Sequence, residues 1–274
     1  MSERIAEAPS GERGDFPAVR PAPSTSRLRK WLMARLQWFS VLGLIIILEV
    51  IGRLGFSRVI PPFSDVVRNL VDLARTGKLD TITLSFQALG IGFGLALICG
   101  LGLAIATTTW KTLDYVVEPY INAFMSMPTS ALIPVLMIIF GLGQTTRIVV
   151  VFIYAFFVIV VNTQAGLRQI DPNLAEMARA FGARGPRYLR MVTVPAALPL
   201  MLAGIRLGIS RALKGMVNSE TIISVTGIGA LIIRYGRTFD VVGVYSILLL
   251  VIVLAVMATG LIQMVENRTL RWEQ

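Results

Sequence analysis

Long apolar runs separated by short polar segments dominate the chain from residue 36 onward. A helix needs roughly 20 mostly apolar residues to cross about 30 Å of hydrocarbon. Six segments, taken with their flanks, approach that length: Leu36–Ile51, Thr83–Thr107, Ile121–Phe140, Ile148–Val161, Ala196–Val217 and Val241–Met264. The pattern predicts an all-α, polytopic membrane protein with six transmembrane helices. An even number of spans places both termini on the same side of the membrane.

Small residues recur through the second predicted span, which carries no charge. They lie two or four residues apart: Gly90, Gly94, Ala96, Gly100 and Ala104. Small residues at this spacing let helix backbones approach closely in lipid. A dinucleotide-binding loop is the functional alternative, but these glycines lie inside an apolar span, which favours helix packing.

The segment between the fourth and fifth predicted spans is too short and too charged to cross the membrane. Asp171 followed by Pro172 is typical of a helix start, because the carboxylate accepts hydrogen bonds from free amides and proline needs no partner there. One apolar face follows at helical spacing: Leu174, Met177, Ala178 and Phe181. Gly182 suits the left-handed residue that ends a helix. A second short helix is predicted to begin at Gly185-Pro186 and to end at Pro195, which gives a surface helix pair.

Composition and charge agree with a membrane chain. Of the 274 residues, 55% are hydrophobic and 15% are charged, whereas soluble chains contain about 25% charged residues. The net charge is +10; with cytoplasmic termini, the inside segments hold 15 Lys and Arg residues and the outside segments hold 8. Because positive residues concentrate on the cytoplasmic side, this asymmetry predicts cytoplasmic termini. It also accounts for much of the basic charge without nucleic acid.

Residues 1–26 differ in composition from the rest of the chain. They are rich in Pro, Gly, Ser, Glu and Arg and show no apolar period, as is typical of disordered segments. We predict a disordered cytoplasmic tail over residues 1–26 and one membrane domain over residues 27–274.

Residue types that carry chemistry are scarce. The single cysteine, Cys99, excludes a disulfide or a cysteine metal site within one chain, and there is no histidine. The phosphate-binding pattern Gly-x-x-x-x-Gly-Lys-Ser/Thr is missing, as are His-Glu-x-x-His and Gly-x-Ser-x-Gly. The sequence therefore predicts no catalytic site, metal or cofactor, and no binding of ATP phosphates by this chain.

A fixed spacing links three parts of the surface helix pair. Glu176-Met177-Ala178 is followed after three residues by Gly182 and, after nine more, by Val192-Thr193-Val194-Pro195. This arrangement resembles the EAA signature of the permease subunits of bacterial ABC importers, which reads Glu-Ala-Ala, three residues, Gly, nine residues, Ile, any residue, Leu-Pro. The departures at positions 177, 192 and 194 keep the apolar character. The resemblance covers roughly residues 36–266 and is greatest to the nitrate/sulfonate/taurine branch.

The resemblance implies an inner-membrane transport subunit, not an enzyme, that forms the path of a small anionic solute. The pattern alone leaves three alternatives for the apolar face of the helix pair: it packs against a partner protein, on the lipid surface or against the chain's own bundle. The resemblance implies that loop 171–195 is a coupling helix pair seated in a cytoplasmic ABC ATPase. Its ATPase-coupling residues are then Glu176, Met177, Ala178, Phe181, Gly182 and Pro195.

The same resemblance implies a set of partners. They are two copies of the ATPase, an extracytoplasmic solute-binding protein, a second permease copy and membrane lipid. Nucleic acid is not expected as a partner. A secondary transporter or a channel not driven by ATP is the alternative function. A secondary transporter, however, gives no reason for the EAA spacing.

Charged residues lie in or just beyond the fifth predicted span: Arg206, Arg211, Lys214 and Glu220. At 100° per residue they occupy about half of the helix circumference. Charges inside a membrane usually face the bundle interior or a water-filled cavity. One interpretation is a basic stripe along the translocation path that favours an anionic solute. The other is internal salt bridging to Glu220, with snorkelling of the long side chains.

The segment between the fifth and sixth predicted spans contains Thr226-Gly227-Ile228-Gly229. It indicates either a re-entrant turn near the outer face or a simple helix break. The stretch from Gly229 to Arg237 is too short to cross the membrane, which favours the re-entrant turn.

Overall fold

The computed structural model describes residues 27–55, 59–76, 82–223 and 226–269. Eleven α-helices and no strand occur in this part of the chain: α1 (Arg27–Arg53), α2 (Phe63–Arg75), α3 (Ile82–Thr109), α4 (Lys111–Ser126), α5 (Leu132–Phe140), α6 (Gln144–Arg168), α7 (Pro172–Ala180), α8 (Gly185–Tyr188), α9 (Val194–Ile223), α10 (Ile228–Arg237) and α11 (Val241–Thr269). The all-α prediction is confirmed. The predicted tail, residues 1–26, lies outside the described residues.

The chain divides into two compact units, residues 1–47 and residues 48–274. The described part of the first unit belongs to α1, where apolar side chains such as Phe39 and Leu44 are exposed. The second unit contains the end of α1 and helices α2–α11. It also holds the buried core.

Helix α6 packs against both α3 and α9, and these three helices form most of the core. Fully or nearly fully buried residues come from α6, α9, α10 and α11: Val151, Ile159, Ala212, Met216, Ile228 and Ile247. Glycines permit the close approach. A Cβ on Gly92 would lie 2.7 Å from the carbonyl oxygen of Ile148, and one on Gly208 would lie 2.7 Å from Cγ1 of Ile159.

Only some of the small residues of α3 lie at the contact with other helices. Ala96 and Ala104 are fully buried, and Gly100 faces Ile159 of α6. Gly90 and Gly94 instead face open space, with no atom within 4 Å of the position that a Cβ would occupy. The predicted close packing is therefore correct for the later part of the helix and wrong for these two glycines.

Four helices of the described chain are long and apolar enough to cross a membrane. They are α3, α6, α11 and a continuous helix from Gly185 to Ile223, and α4 with α5 makes a fifth if that bent pair counts as one span. The first predicted span falls on α1, a single helix of 27 residues. Its crossing of the membrane, and with it the count of six, stays a prediction.

The third predicted span, Ile121–Phe140, is wrong as a single helix. It is divided between α4 and α5, which are bent by 89° relative to each other. Pro128 is the physical reason, because proline has no amide hydrogen for the helix and disfavours helical geometry in the residue before it. Met127 accordingly adopts an extended conformation, with φ −79° and ψ 143°.

Pro195 does not end the second helix of loop 171–195, contrary to the prediction. Helix α8 continues through a π-helical turn at Leu189–Thr193 into α9, so that Gly185–Ile223 is one helix of 39 residues. In this turn the amide of Val194 donates to the carbonyl of Leu189, five residues earlier. The wider turn lies directly before Pro195, where the proline ring would otherwise clash with a carbonyl of the preceding turn.

Helix α2 is a short amphipathic helix anchored from both sides. The Glu49 carboxylate accepts a hydrogen bond from the amide of Ser64, in the first turn of α2, at 2.9 Å. The Ser246 hydroxyl of α11 donates to the carbonyl of Val66 at 2.9 Å. The opposite side of α2, which includes Arg68 and Asp72, is exposed.

Candidate functional site: the coupling loop and the charges of α9

Both ends of α7 have the geometry that the sequence predicts. The Asp171 carboxylate accepts a hydrogen bond from the amide of Asn173 at 2.8 Å, and Pro172 occupies the first helical position. At the other end Gly182 has φ +81°. The amides of Gly182 and Ala183 donate to the carbonyls of Arg179 and Ala178, each at 2.9 Å. These two bonds form a Schellman motif, which requires the left-handed residue.

The predicted apolar face of α7 is largely uncovered within this chain. Ala178 is buried, whereas the side chains of Met177 and Phe181 are 53% and 86% exposed and Leu174 is partly exposed. Glu176 is also exposed. Of the three alternatives for this face, packing against the chain's own bundle is therefore limited to Ala178.

The loop is also strongly basic. Exposed arginines occur along it and into the following helix: Arg179, Arg184, Arg187 and Arg190. The Arg179 guanidinium lies 6.0 Å from the ring centroid of Tyr188, which links α7 to α8 by a cation–π contact. Pro186, Arg187, Arg190 and Met191 line an open concavity of about 440 Å³. Pro195, the last predicted coupling residue, is half-buried inside the continuous helix.

The four charged residues of α9 do not form one stripe. Arg206 pairs with Glu266 of α11 at 3.1 Å. Arg211 and Lys214 are exposed on the face that also carries Leu207 and Asn218. Glu220, in contrast, is fully buried. The predicted internal salt bridge to Glu220 from the basic residues of its own span is absent from the described chain.

Glu220 belongs to a buried polar cluster that sequence reasoning missed. Its Oε2 accepts a hydrogen bond from the amide of Gly229 at 3.0 Å, and the hydroxyl of Ser85 accepts one from the amide of Ile228 at 3.2 Å. Arg147, only 3% exposed, donates to the Thr226 hydroxyl at 2.5 Å and to the Gln144 side-chain carbonyl at 3.3 Å. The cluster joins α3, α6, α9 and the start of α10.

One signal in the sequence pointed to this cluster. Arg147 stands at the edge of the apolar run Ile148–Val161 and is followed by no carboxylate within that run. A charge in that position needs a partner from another segment. Arg147 is one of the eight basic residues assigned to the outside segments, and the charge asymmetry by itself predicts no partner for it.

The comparison with known families decides the identity of the chain. The profile of the family described as "Binding-protein-dependent transport system inner membrane component" matches residues 81–271, more than two thirds of the sequence. The chain belongs to this family. The resemblance inferred from the EAA spacing is thereby confirmed, and the protein is an ABC-transporter permease of the inner membrane with several membrane-crossing helices.

Individual relatives cover most of the permease. The putative aliphatic sulfonates transport permease SsuC of Bacillus subtilis is 28% identical over 232 residues, which are 84% of either chain. The formylaminopyrimidine transport permease ThiX of Halalkalibacterium halodurans is 25% identical and covers 85% of this chain and 94% of its own. A putative ABC transporter permease of Methanocaldococcus jannaschii is 30% identical and covers 83% of this chain and 85% of its own.

A solved structure supports the fold. A chain of the MetNI methionine ABC transporter in an inward-facing conformation matches with a TM-score of 0.56 at 23% identity, over 75% of this permease and 98% of that chain. An identity this low shows a common fold and no more. The shared fold is all-α.

Proposed function

We propose that this permease is the membrane subunit of an ABC importer and that its coupling loop docks into a separate ATPase. The supporting observation is the loop itself, where α7 is capped at Asp171, ends at the left-handed Gly182 and leaves Met177 and Phe181 exposed. An exposed aromatic residue beside a flexible apolar one is typical of residues that anchor a protein interface. The EAA spacing at the same residues supports an ATPase as the partner.

Transport then follows from movement of this loop. Two ATPases serve a pair of permeases, formed by this chain and a second copy, while an extracytoplasmic binding protein delivers the solute. ATP binding draws the ATPases together and displaces the coupling loops. That displacement switches the cavity between the spans from inward-facing to outward-facing. The termini and loop 171–195 lie on the cytoplasmic side in this arrangement.

An anionic solute is supported by two independent observations. Two relatives at 28% identity are named for aliphatic sulfonates, and α9 exposes Arg211 and Lys214 on one face. Cations in a membrane helix face protein or water rather than lipid. Other relatives of similar identity are named for formylaminopyrimidine and riboflavin. We therefore propose a small anion as the solute and name no particular compound.

The substitution Gly182→Val tests the coupling loop. A left-handed conformation costs a residue with a Cβ about 1 kcal/mol or more, and nothing lies within 4 Å of the position that a Cβ would occupy. The strain is therefore relieved by redirecting the chain towards α8. We expect uptake to be abolished, with the ATPase either released or hydrolysing ATP without transport. The measurements are uptake, co-purification of the ATPase and solute-stimulated hydrolysis.

The matched control is Gly182→Asn, since asparagine tolerates the left-handed conformation. It should keep most of the uptake and all of the ATPase binding. Normal uptake, co-purification and hydrolysis in Gly182→Val would show that the loop is not the coupling element. Uptake that continues with no ATPase present would instead indicate a secondary transporter.

A further inference from the structure

The coupling loop and the Glu220 cluster are the two ends of one helix. The continuous helix Gly185–Ile223 has 39 residues, which corresponds to a length of about 58 Å at a rise of 1.5 Å per residue. The hydrocarbon core of a bilayer is about 30 Å thick. Glu220 therefore lies across the membrane from the coupling loop, on the same helix.

Contacts along its length hold this helix firmly to α6. Added Cβ atoms on Gly204, Gly208 and Gly215 would lie 2.7 Å from side-chain atoms of Asn162, Ile159 and Tyr154. Backbones this close leave no room for the helix to slide independently of α6. When the coupling loop is displaced, the helix therefore moves as a rigid body, and side-chain rearrangements do not absorb the displacement.

At the far end, the first turn of α10 is attached to this helix through a side chain. The amide of Gly229 donates to Glu220 Oε2 at 3.0 Å, and the amide of Ile228 donates to the Ser85 hydroxyl of α3 at 3.2 Å. The first amides of a helix have no partner within it, so Glu220 and Ser85 supply acceptors that the fold needs. Helix α10 also packs on α11.

The backbone before α10 follows the shape of this carboxylate. Gly227 has φ +97°, and a Cβ there would lie 2.5 Å from Oε1 and 2.6 Å from Oε2 of Glu220. A Cβ on Gly229 would lie 2.7 Å from Cβ of Glu220. The turn into α10 can approach this closely because both positions are glycine, so it packs directly against the Glu220 side chain.

A buried arginine is bound to the residue just before this turn. Arg147, only 3% exposed, donates hydrogen bonds to Thr226 and Gln144. The hydrogen bonds of Arg147 and Glu220 thus attach the two ends of the turn, Thr226 and Gly229, to α6 and to the coupling helix.

We infer that Glu220 is a positioning residue that ties α10 to the coupling helix, so that movement of the coupling loop displaces α10 on the opposite side of the membrane. This inference rests on the proposed function, because it requires an ATPase to move the loop. Helix α10 then acts as the part of the outer face that opens and closes with the nucleotide state. The length of the side chain, and not only its charge, is what the attachment needs.

A pair of substitutions separates length from charge. Glu220→Gln keeps the length and an oxygen acceptor but loses the charge. Glu220→Asp keeps the charge but withdraws the oxygens by about 1.5 Å, one C–C bond, which is enough to break a hydrogen bond of 3.0 Å. If Glu220 positions α10, Glu220→Gln should transport and Glu220→Asp should lose about tenfold or more of the uptake, the scale of a lost hydrogen bond to a charged group.

The direct readout is nucleotide-dependent labelling of the full transporter complex. Single cysteines replace the exposed Arg184 on the coupling loop or the exposed Arg237 at the end of α10, in a Cys99→Ser background. Labelling rates are compared without nucleotide and with ATP plus vanadate. We expect both positions to respond in the otherwise unchanged permease. In Glu220→Asp the response should persist at position 184 and be lost at position 237, with hydrolysis retained.

The control is Glu266→Asp, which shortens a carboxylate of α11 that is paired with Arg206 of the same coupling helix. Its response at position 237 should be normal. Three results would overturn the inference: a normal response at 237 in Glu220→Asp, equal losses in Glu220→Gln and Glu220→Asp, or the same loss in Glu266→Asp. Failure of the proposed function is recognised separately, because position 184 would then not respond to nucleotide even in the unchanged protein.

Discussion

Asp171 and Gly182 bracket α7, and each occupies a backbone position that suits its side chain. The Asp171 carboxylate accepts from the amide of Asn173, and Gly182 adopts the left-handed conformation on which the Schellman motif depends. These are local interactions between residues close in sequence. For that reason the two ends of the helix were correctly predicted without knowledge of the fold.

The environments of the charged residues of α9 depend instead on residues that are distant in sequence. Arg206 and Glu220 have partners, Glu266 and Gly229, that come from other helices. Arg211 and Lys214 form no ion pair with another residue of the described chain. Their surroundings depend on which helix packs where, and position on a helical wheel did not distinguish them.

Arg211→Gln tests whether the exposed basic face contributes to solute selection. The loss of one positive charge in a partly hydrated site removes about 1 kcal/mol or more of attraction for an anion. We expect the KM for an anionic solute to rise roughly fivefold to tenfold, with normal assembly of the complex. The measurement is the concentration dependence of uptake in proteoliposomes.

Arg211→Lys is the matched variant, since it keeps the charge and should keep the KM within about twofold of the unchanged permease. Arg206→Gln differs from both because it breaks the ion pair with Glu266, and it is expected to lower stability. An unchanged KM in Arg211→Gln would contradict a role for this face in the anion path.

At the scale of helices, Pro128 and Pro195 differ in whether they interrupt the helix, and residue identity alone does not predict this difference. Pro128 separates α4 from α5 with a bend of 89°. Pro195 stands within a continuous helix because a π-helical turn precedes it. Both residues lack the amide hydrogen. The difference is that the turn before Pro195 is widened and stays helical, whereas Met127, before Pro128, adopts an extended conformation.

Close packing between α3 and α6 gives a prediction at this scale. In Gly92→Ala the added Cβ would lie 2.7 Å from the carbonyl oxygen of Ile148 and 2.8 Å from the Cβ of Val151, both of which are firmly held. Overpacking of this kind costs typically about 1–3 kcal/mol. We expect a lower midpoint of thermal unfolding for the purified protein in detergent.

Gly90→Ala is the control on the same helix, because no atom lies within 4 Å of its Cβ position. Since alanine is the better helix former, this change should leave the unfolding midpoint unchanged or slightly higher. Equal effects of the two substitutions would show that α3 does not approach α6 through Gly92.

At the scale of the whole molecule, the 15 to 8 distribution of basic residues predicts a topology that labelling can check. Glu176 and Arg68 are both exposed and are predicted to lie on opposite sides of the membrane. With Glu176→Cys or Arg68→Cys as the only cysteine, an impermeant reagent added outside should modify position 68 and leave position 176 unmodified.

The background for this test is Cys99→Ser, because Cys99 is exposed in this chain. Permeabilised cells should allow modification at both positions, which shows that each cysteine is reactive. Modification of position 176 from outside in intact cells would reverse the predicted orientation of the coupling loop.

Much of the molecule is determined by the sequence through rules that act within short segments. Apolar length predicts α3, α6, α9 and α11 because a membrane helix satisfies its own backbone hydrogen bonds. Cap residues predict both ends of α7, and the spacing of the EAA residues identifies the family. None of these inferences needs to know which helices touch.

Only the tertiary structure shows how the charges of α9 are distributed among a paired, an exposed and a buried environment. The buried cluster at the start of α10 combines Ser85, Arg147, Glu220 and Gly229, which are up to 144 positions apart along the chain. Its members meet because α3 and α9 both pack on α6. A buried polar group is stable only when others satisfy it, and their identity depends on helix packing rather than on local pattern.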